Sequence, residues 1–181
     1  MSRPIAVDAL ATPVEGRNLR PGTLRDQWGD GRALLVFPRH LGCLFSREVV
    51  TDIRKAEDAD PWYPPVLYVH LGSVADGEDF FRKHAPGAHA IADEGGRLYG
   101  AFGIKRGTFG QLFGPSVIAC GLRATRKGHG PGRPIGDPWM LPGMFVVEGD
   151  QILWSHEARH AADHPDFARI PEFVLEAATP R

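Results

Sequence analysis

Along this chain, continuous apolar runs of strand length alternate with stretches in which apolar positions recur every three or four residues. The first 32 residues fit neither pattern: they are polar and turn-rich, with Pro21-Gly22 and Gly29-Asp30-Gly31 as punctuation. Ala33-Leu34-Leu35-Val36-Phe37 then reads as a strand buried on both faces, broken by Pro38-Arg39-His40-Leu41-Gly42. From Cys43, the spacing of Phe45, Val49, Val50 and Ile53 predicts an amphipathic helix to about Ala59. Arg47, Glu48, Asp52 and Arg54 form its polar side, and Pro61, Pro64 and Pro65 end it. Val66 to Leu71 is a second apolar strand, followed by a short helix from about Asp76 to His84. Ala88 to Ala92 gives a third strand, and Arg97 to Phe102 reads as helical. A further helix lies within Gly107 to Arg126, with Phe109, Leu112, Phe113, Val117 and Ile118 as its apolar face. Lys127 to Pro138 reads as a flexible basic loop. Met144 to Val147 and Gln151 to Trp154 form a hairpin around Glu148-Gly149-Asp150. A last helix is expected from Asp163, as its cap with His164, to Ala178. This order predicts an α/β fold, a central mixed sheet flanked by helices, parallel first and antiparallel at the end.

Composition narrows the classes. The 181 residues fit one domain, residues 1–181, with residues 1–32 as an N-terminal extension. Lysine and arginine number 21 against 22 acidic residues, a net charge of −1, which argues against nucleic acid or a membrane as partner. No secretory signal pattern or apolar run of spanning length is visible, so a cytoplasmic protein with reduced thiols is expected. The 22 glycines and 16 prolines follow no period, which leaves a loop-rich globular domain. Two cysteines, Cys43 and Cys120, cannot form a disulfide scaffold.

Cys43 carries the chemistry. It lies where a buried strand gives way to a helix, so first-turn N–H groups and the helix dipole favour its thiolate, the nucleophilic form. Arg39 and His40, just upstream, can bring positive charge to it, and Ser46 can donate a hydrogen bond from one helical turn on. Cys120, inside the apolar stretch Ser116 to Leu122, reads as core packing, with a distant resolving thiol as the alternative.

The segment Leu35 to Glu48, LVFPRHLGCLFSRE, resembles the active-site segment of the peroxiredoxin-like family. This is the branch of alkyl hydroperoxide reductase/thiol-specific antioxidant proteins related to selenoprotein L and the prostamide/prostaglandin F synthases. Its members carry an apolar strand, Arg-His-x-Gly, and Cys-x-x-Cys followed by Arg-Glu. Gly136 to Val147 is similar to the family's Gly-Asp-x-x-x-x-Pro-Gly-x-Phe stretch, and Arg159 to Pro165 resembles the tail that follows. The resemblance runs from about Asp26 to Pro165 and implies a thioredoxin-like fold. It implies that Pro142 is a cis-proline beside the active-site cysteine. Leu141 next to it, and Trp139 three residues before it, are then placed to flank a substrate groove; burial in the core is the other reading of Trp139. It also implies a thiol-dependent oxidoreductase acting on a peroxide or thiol, with glutathione or thioredoxin as reductant and no metal or nucleotide cofactor. A homodimer remains open.

One departure stands out. Ser46 replaces the second cysteine of Cys-x-x-Cys. A Cys-x-x-Ser site cannot close its own disulfide, so oxidised Cys43 must be resolved by an external thiol, by Cys120 or by a second subunit. If the second family position is the peroxidatic one, that position is lost; the chain is then redox-inactive, turned to binding or to a non-redox reaction on a specialised metabolite. The remaining motifs have plainer readings. His156, His160 and His164 recur at a spacing that suits zinc, but Pro165 favours a turn of hydrogen-bonding histidines. Gly128, Gly130 and Gly132 follow no strand and so lack the setting of a dinucleotide site. Arg123, Arg126, Lys127 and Arg133 form either a solvated face or a docking surface for an anionic substrate or glutathione.

Overall fold

The two apolar runs become adjacent central strands because neither has a face that suits water. The computed structural model describes residues 2–128, 130 and 132–178. In it β3 (Arg32–Phe37) and β4 (Val66–His70) pair in parallel, Leu35 opposite Leu67, joined by the helix α2 (Leu44–Ala59). A second crossover, α3 (Val74–His84), leads to β5 (His89–Ala92), parallel to β4. On the other side of β3 runs β6 (Gly143–Glu148), antiparallel, which turns at Gly149 into β7 (Gln151–Glu157). That turn needs a left-handed residue, and Gly149 supplies it at φ 60°.

Successive side chains of β3 point to opposite faces and found two cores. Leu34 and Val36 pack with Val50 and Ile53 of α2, Phe81 of α3 and Ile170 and Val174 of α7 (Ile170–Ala178). Ala33, Leu35 and Phe37 pack on the other face with Ala9 of α1 (Val7–Leu10) and Leu98 and Tyr99 of α4 (Arg97–Ala101).

The N-terminal stretch does more than a polar, turn-rich extension would. Its β1 (Arg3–Pro4) pairs with β7 and its β2 (Gly16–Arg17) with β5, so it closes both edges of a seven-stranded sheet ordered β1-β7-β6-β3-β4-β5-β2. Ile5, Leu24 and Trp28 enter the core from it, too thinly spread to make a pattern.

Two helices also differ from expectation. The apolar stretch after Gly107 is not one helix: α5 (Phe109–Phe113) stops at Gly114, and α6 (Pro115–Arg126) starts anew with proline at its first position. The extended Gly114 resets the helical phase, so only Leu112 and Val117 of the five expected face residues are buried; Phe109, Phe113 and Ile118 face solvent. The last helix starts at Ile170, after a single 3₁₀ turn capped by Asp166, whose carboxylate accepts from the Ala168 N–H. Pro165 keeps the earlier residues out of it, and Asp163 accepts from the Arg159 N–H instead. Among the described residues no helix is long and apolar enough to cross a membrane.

Tyr99, fully buried, donates its hydroxyl to the carbonyls of Pro38 and Val69, tying the end of β3 to β4. Tyr99→Phe leaves both carbonyls without that donor. It is expected to lower unfolding free energy by about 1–3 kcal/mol in urea titration, and an unchanged midpoint would refute this role.

Candidate active site

Cys43 occupies the N-cap of α2, with an extended backbone (φ −74°, ψ 133°). Its side chain makes no capping bond, so the first-turn N–H groups do not reach the sulfur as the sequence led one to expect. A cation does: Arg39 Nη1 lies 3.4 Å from Cys43 Sγ. Arg39 is itself buried and is held from behind, Nε donating to the Met140 carbonyl at 3.2 Å and Nη2 to that of Pro138. Cys43 is 6% exposed, set among Phe45, Leu112, Val117, Leu141, Ala161 and Ala162. Low polarity there strengthens the contact between guanidinium and sulfur relative to water. Cys120, half-buried on α6, packs against this same cluster, so it is not distant from Cys43.

The other expected residues divide. His40 is buried, and that burial, with the Arg39 charge second, pushes its pKa down to about 4 despite the opposing charge of Asp137. It is therefore neutral near pH 7 and supplies no positive charge to the sulfur. Ser46 is buried too, but among the described residues its hydroxyl has no hydrogen-bond partner, Cys43 included. The reason is geometric: Cys43 has cap rather than helical geometry, while Ser46, inside the helix, points into a small cavity with Val36, Arg39, Pro142, Met144 and His164. That cavity has room for little more than one water. Leu141 packs in the Cys43 cluster. Pro142 lines the Ser46 cavity but is not a cis-proline; every peptide bond among the described residues is trans. Leu141 donates to the Lys105 carbonyl at 3.0 Å and Gly143 opens β6, so an extended chain runs straight into the sheet. Trp139 is not core: it is partly exposed and stands edge-on to Phe113, ring centroids 6.3 Å apart.

Two features escaped the sequence reading. Glu48, expected on the polar side of α2, has a fully buried side chain. Burial alone would raise its pKa, but a 2.8 Å hydrogen bond from Lys127 and the charge of Arg123 hold it below the usual carboxylate range. The signal was available: Arg123 and Lys127 stand four residues apart, one face of α6 turned toward α2. The second feature is the Lys127–Pro138 stretch, expected to be a mobile loop. It is tied to the Cys43 loop, Gly132 N–H to Gly42 O at 2.8 Å, Leu41 N–H to Ile135 O at 3.3 Å and Arg47 Nη1 to Gly130 O at 2.7 Å. A Cβ on Gly42 would sit 1.9 Å from the Arg133 carbonyl oxygen, so glycine is required for this approach. Of the three spaced histidines, His156 lies 3.5 Å from Asp163, His160 Nδ1 accepts from the Ala162 N–H, and His164 Nε2 lies 4.0 Å from Glu48.

Comparison with known proteins agrees with this architecture. Residues 63–160 match the family model described as AhpC/TSA antioxidant enzyme, a match that begins beyond Cys43. Peroxiredoxin-like 2C of Bos taurus is 25% identical over 183 aligned residues, covering 95% of this chain and 80% of that protein. Among solved structures, a cysteine-to-serine mutant of PrxQ from Xylella fastidiosa superimposes with a TM-score of 0.61 at 16% identity, covering 98% of this chain and 96% of that one. The bacterioferritin comigratory protein of Xanthomonas campestris, whose alkyl peroxide reduction was the subject of its structure, gives 0.57 at 15% identity, covering 97% and 96%. The fold is thus the thioredoxin-like fold of the peroxiredoxins.

The contrast between Arg39 and Ser46 is testable. Arg39→Met is expected to slow iodoacetamide alkylation of Cys43 at pH 7 by about tenfold or more, the scale of a charge-assisted hydrogen bond. Ser46→Ala is expected to leave the rate within about twofold. Equal slowing by both would contradict this geometry. Acid sensitivity follows from the histidines. Burial also pushes His70 down to about 4, and with His40 it must stay neutral in the fold while the unfolded chain takes up protons near 6.5. Stability is therefore full above pH 6.5 and is lost as pH falls toward 4. From pH 7 to 5 the loss should be about 2 kcal/mol per histidine, and less in His40→Gln, by urea unfolding at each pH.

Proposed function

The chain belongs to the AhpC/TSA antioxidant enzyme family, and from that premise we propose that it is a thiol-dependent peroxidase with Cys43 as the redox nucleophile. The observation that carries this reading is the 3.4 Å contact between Arg39 Nη1 and Cys43 Sγ inside an apolar cluster. Arg39 favours the thiolate and offers positive charge where negative charge develops on a departing peroxide oxygen. The thiolate sulfur attacks one peroxide oxygen and the O–O bond breaks. The other oxygen leaves as an alkoxide, takes a proton from water and departs as the alcohol, and Cys43 is left as a sulfenic acid. An external thiol such as glutathione or a thioredoxin then attacks that sulfur, releasing water and forming a mixed disulfide. A second thiol reduces the mixed disulfide and returns Cys43 to its starting state. Leu141 and Trp139 flank the approach, and the Cys-x-x-Ser sequence is what makes the reductant external.

A second reading has its own support. Ser46 and Pro142, but not Cys43, line the small cavity beside Arg39. On that reading position 46 is the peroxidatic one, and its serine leaves a binding protein or a catalyst of non-redox chemistry.

Peroxide consumption with glutathione or thioredoxin as donor separates the two. The first reading expects turnover in the native protein, loss of at least about a hundredfold in Cys43→Ser, and little change in Ser46→Ala. Equal rates in native protein and Cys43→Ser would overturn it, and turnover gained only in Ser46→Cys would favour the second. Mass analysis after one equivalent of peroxide identifies the resolving group. Cys43 sulfenic acid, or its thiol adduct, is expected; an internal disulfide with Cys120 would overturn the external reductant.

A further inference from the structure

A net charge of −1 conceals a strong segregation. Between Glu94 and Asp137 there are seven Lys or Arg residues and no Asp or Glu, leaving 14 basic and 22 acidic residues in the rest of the chain. This basic segment folds as α4, α5, α6 and the stretch tied over the Cys43 loop. It also carries four of the nine large apolar side chains left in solvent among the described residues: Phe109 is 70% exposed, Phe113 52%, and Ile118 and Leu122 60% each. The exposure has a structural cause. The break at Gly114 and Pro115 turns Leu112 and Val117 inward and leaves Phe109 and Phe113, then Ile118 and Leu122, as two pairs spaced by one helical turn on the outer surface. Phe109 and Phe113 pack ring to ring at 5.1 Å, and Trp139 joins them edge-on. Trp139 is fixed there because residues 105–107 run antiparallel to 139–141, with the Gly107 N–H donating to the Trp139 carbonyl at 2.7 Å.

Of the basic residues of this segment, Arg106 pairs with Asp137 at 3.3 Å, and four others divide between two tasks. Arg123 and Lys127 turn inward to neutralise buried Glu48. Lys105 and Arg126 are exposed and have no ion-pair partner among the described residues; Arg126 follows Leu122 by one turn on the outer side of α6. An apolar, aromatic strip with unpaired cations on its rim is a two-part surface. The strip leaves water when it enters an acyl layer, and the cations remain at the level of anionic head groups.

We infer that the outer face of α5 and α6, with Trp139, docks onto an anionic lipid surface. An acidic protein would match the cations but not the apolar strip, and a second copy of this chain would set like charges against each other. The helices that carry this face cover the Cys43 cluster with their inward Leu112 and Val117, so docking places the membrane on the far side of that helical layer. The inference goes beyond the proposed peroxidase activity and does not need Cys43 to react.

Vesicle co-sedimentation of the whole chain tests it, using phosphatidylcholine alone and an equal mixture with phosphatidylglycerol. Binding is expected to the mixed vesicles only, and to fall steeply as salt is raised. Arg126→Glu should weaken it about fivefold or more, and Phe109→Ser with Leu122→Ser should abolish it. Native melting temperature and Cys43 alkylation rate control for folding; these side chains already face water, and Arg126→Glu stands alone if the double variant does not fold. Cys43→Ser should bind as the native protein does, which separates this outcome from a failure of the peroxidase reading. No pelleting with mixed vesicles, equal pelleting with neutral ones, or unchanged binding in the variants would overturn the proposal. So would self-association through the same residues without vesicle binding.

Discussion

A buried guanidinium must find its acceptors inside the protein, because an unmet charged donor costs more than a neutral one's roughly 1–3 kcal/mol. Arg39 finds three, the carbonyls of Pro138 and Met140 and the sulfur of Cys43. Two of them come from one stretch, Pro138 to Met140 on the approach to β6, and the third from the cap of α2. Meeting the needs of one side chain therefore fixes these two parts of the chain against each other. The thiol does not recruit a cation from solvent; it lies against one whose remaining bonds are already committed to backbone. Preorganisation of this kind holds the guanidinium against the sulfur without a rearrangement at the moment of reaction.

A second buried charge fixes the layer above. Glu48 has a fully buried side chain and is met by Lys127 and Arg123, so the C-terminal half of α6 is pinned to α2. Breaking such a pair by removing one partner is costlier than never having had it, so position 48 and the α6 pair act as a unit. The hydrogen bonds from Gly132 and Arg47 continue the same seam into the stretch that crosses the Cys43 loop. Cys43 is closed by two ionic anchors and a backbone ladder, not by hydrophobic contact alone.

The central sheet was legible because its signal is local. Strands buried on both faces read as continuous apolar runs, and Ala33 to Phe37 and Val66 to Leu71 have no other plausible form. The junction at Cys43 was legible for the same reason, since a strand, a Pro-containing break and an amphipathic stretch stand side by side. What failed was whatever needed a partner distant in sequence. Glu48 looked like a solvated helix residue because its cations lie about 75 positions on. The stretch after Lys127 looked mobile because its glycines, read locally, signal freedom; in place, Gly42 and Gly132 permit close backbone approach. Ser46 was expected to bond the sulfur on helical spacing alone, which fails when one of the two residues is a cap. Pro142 was read through resemblance, and backbone isomer is not a property that resemblance in sequence carries.

Whole-chain charge is a coarse guide for a related physical reason. Electrostatic attraction acts over about 8–10 Å at ordinary ionic strength, so a surface responds to the charges on it and not to the sum over the molecule. The acidic residues that bring this chain to −1 all lie outside residues 95–136, while the exposed cations of α6 and its surroundings have none beside them in sequence. The division within α6 follows from one constraint. Glu48 needs two cations at one-turn spacing, which sets the rotation of the helix about its axis. That rotation buries Val117 and Ala124 and turns Ile118, Leu122 and Arg126 outward. The α6 part of the apolar strip thus follows from the ion pairs made to buried Glu48, and α6 also packs Val117 into the Cys43 cluster. Whatever engages that strip bears directly on the layer that separates the sulfur from solvent.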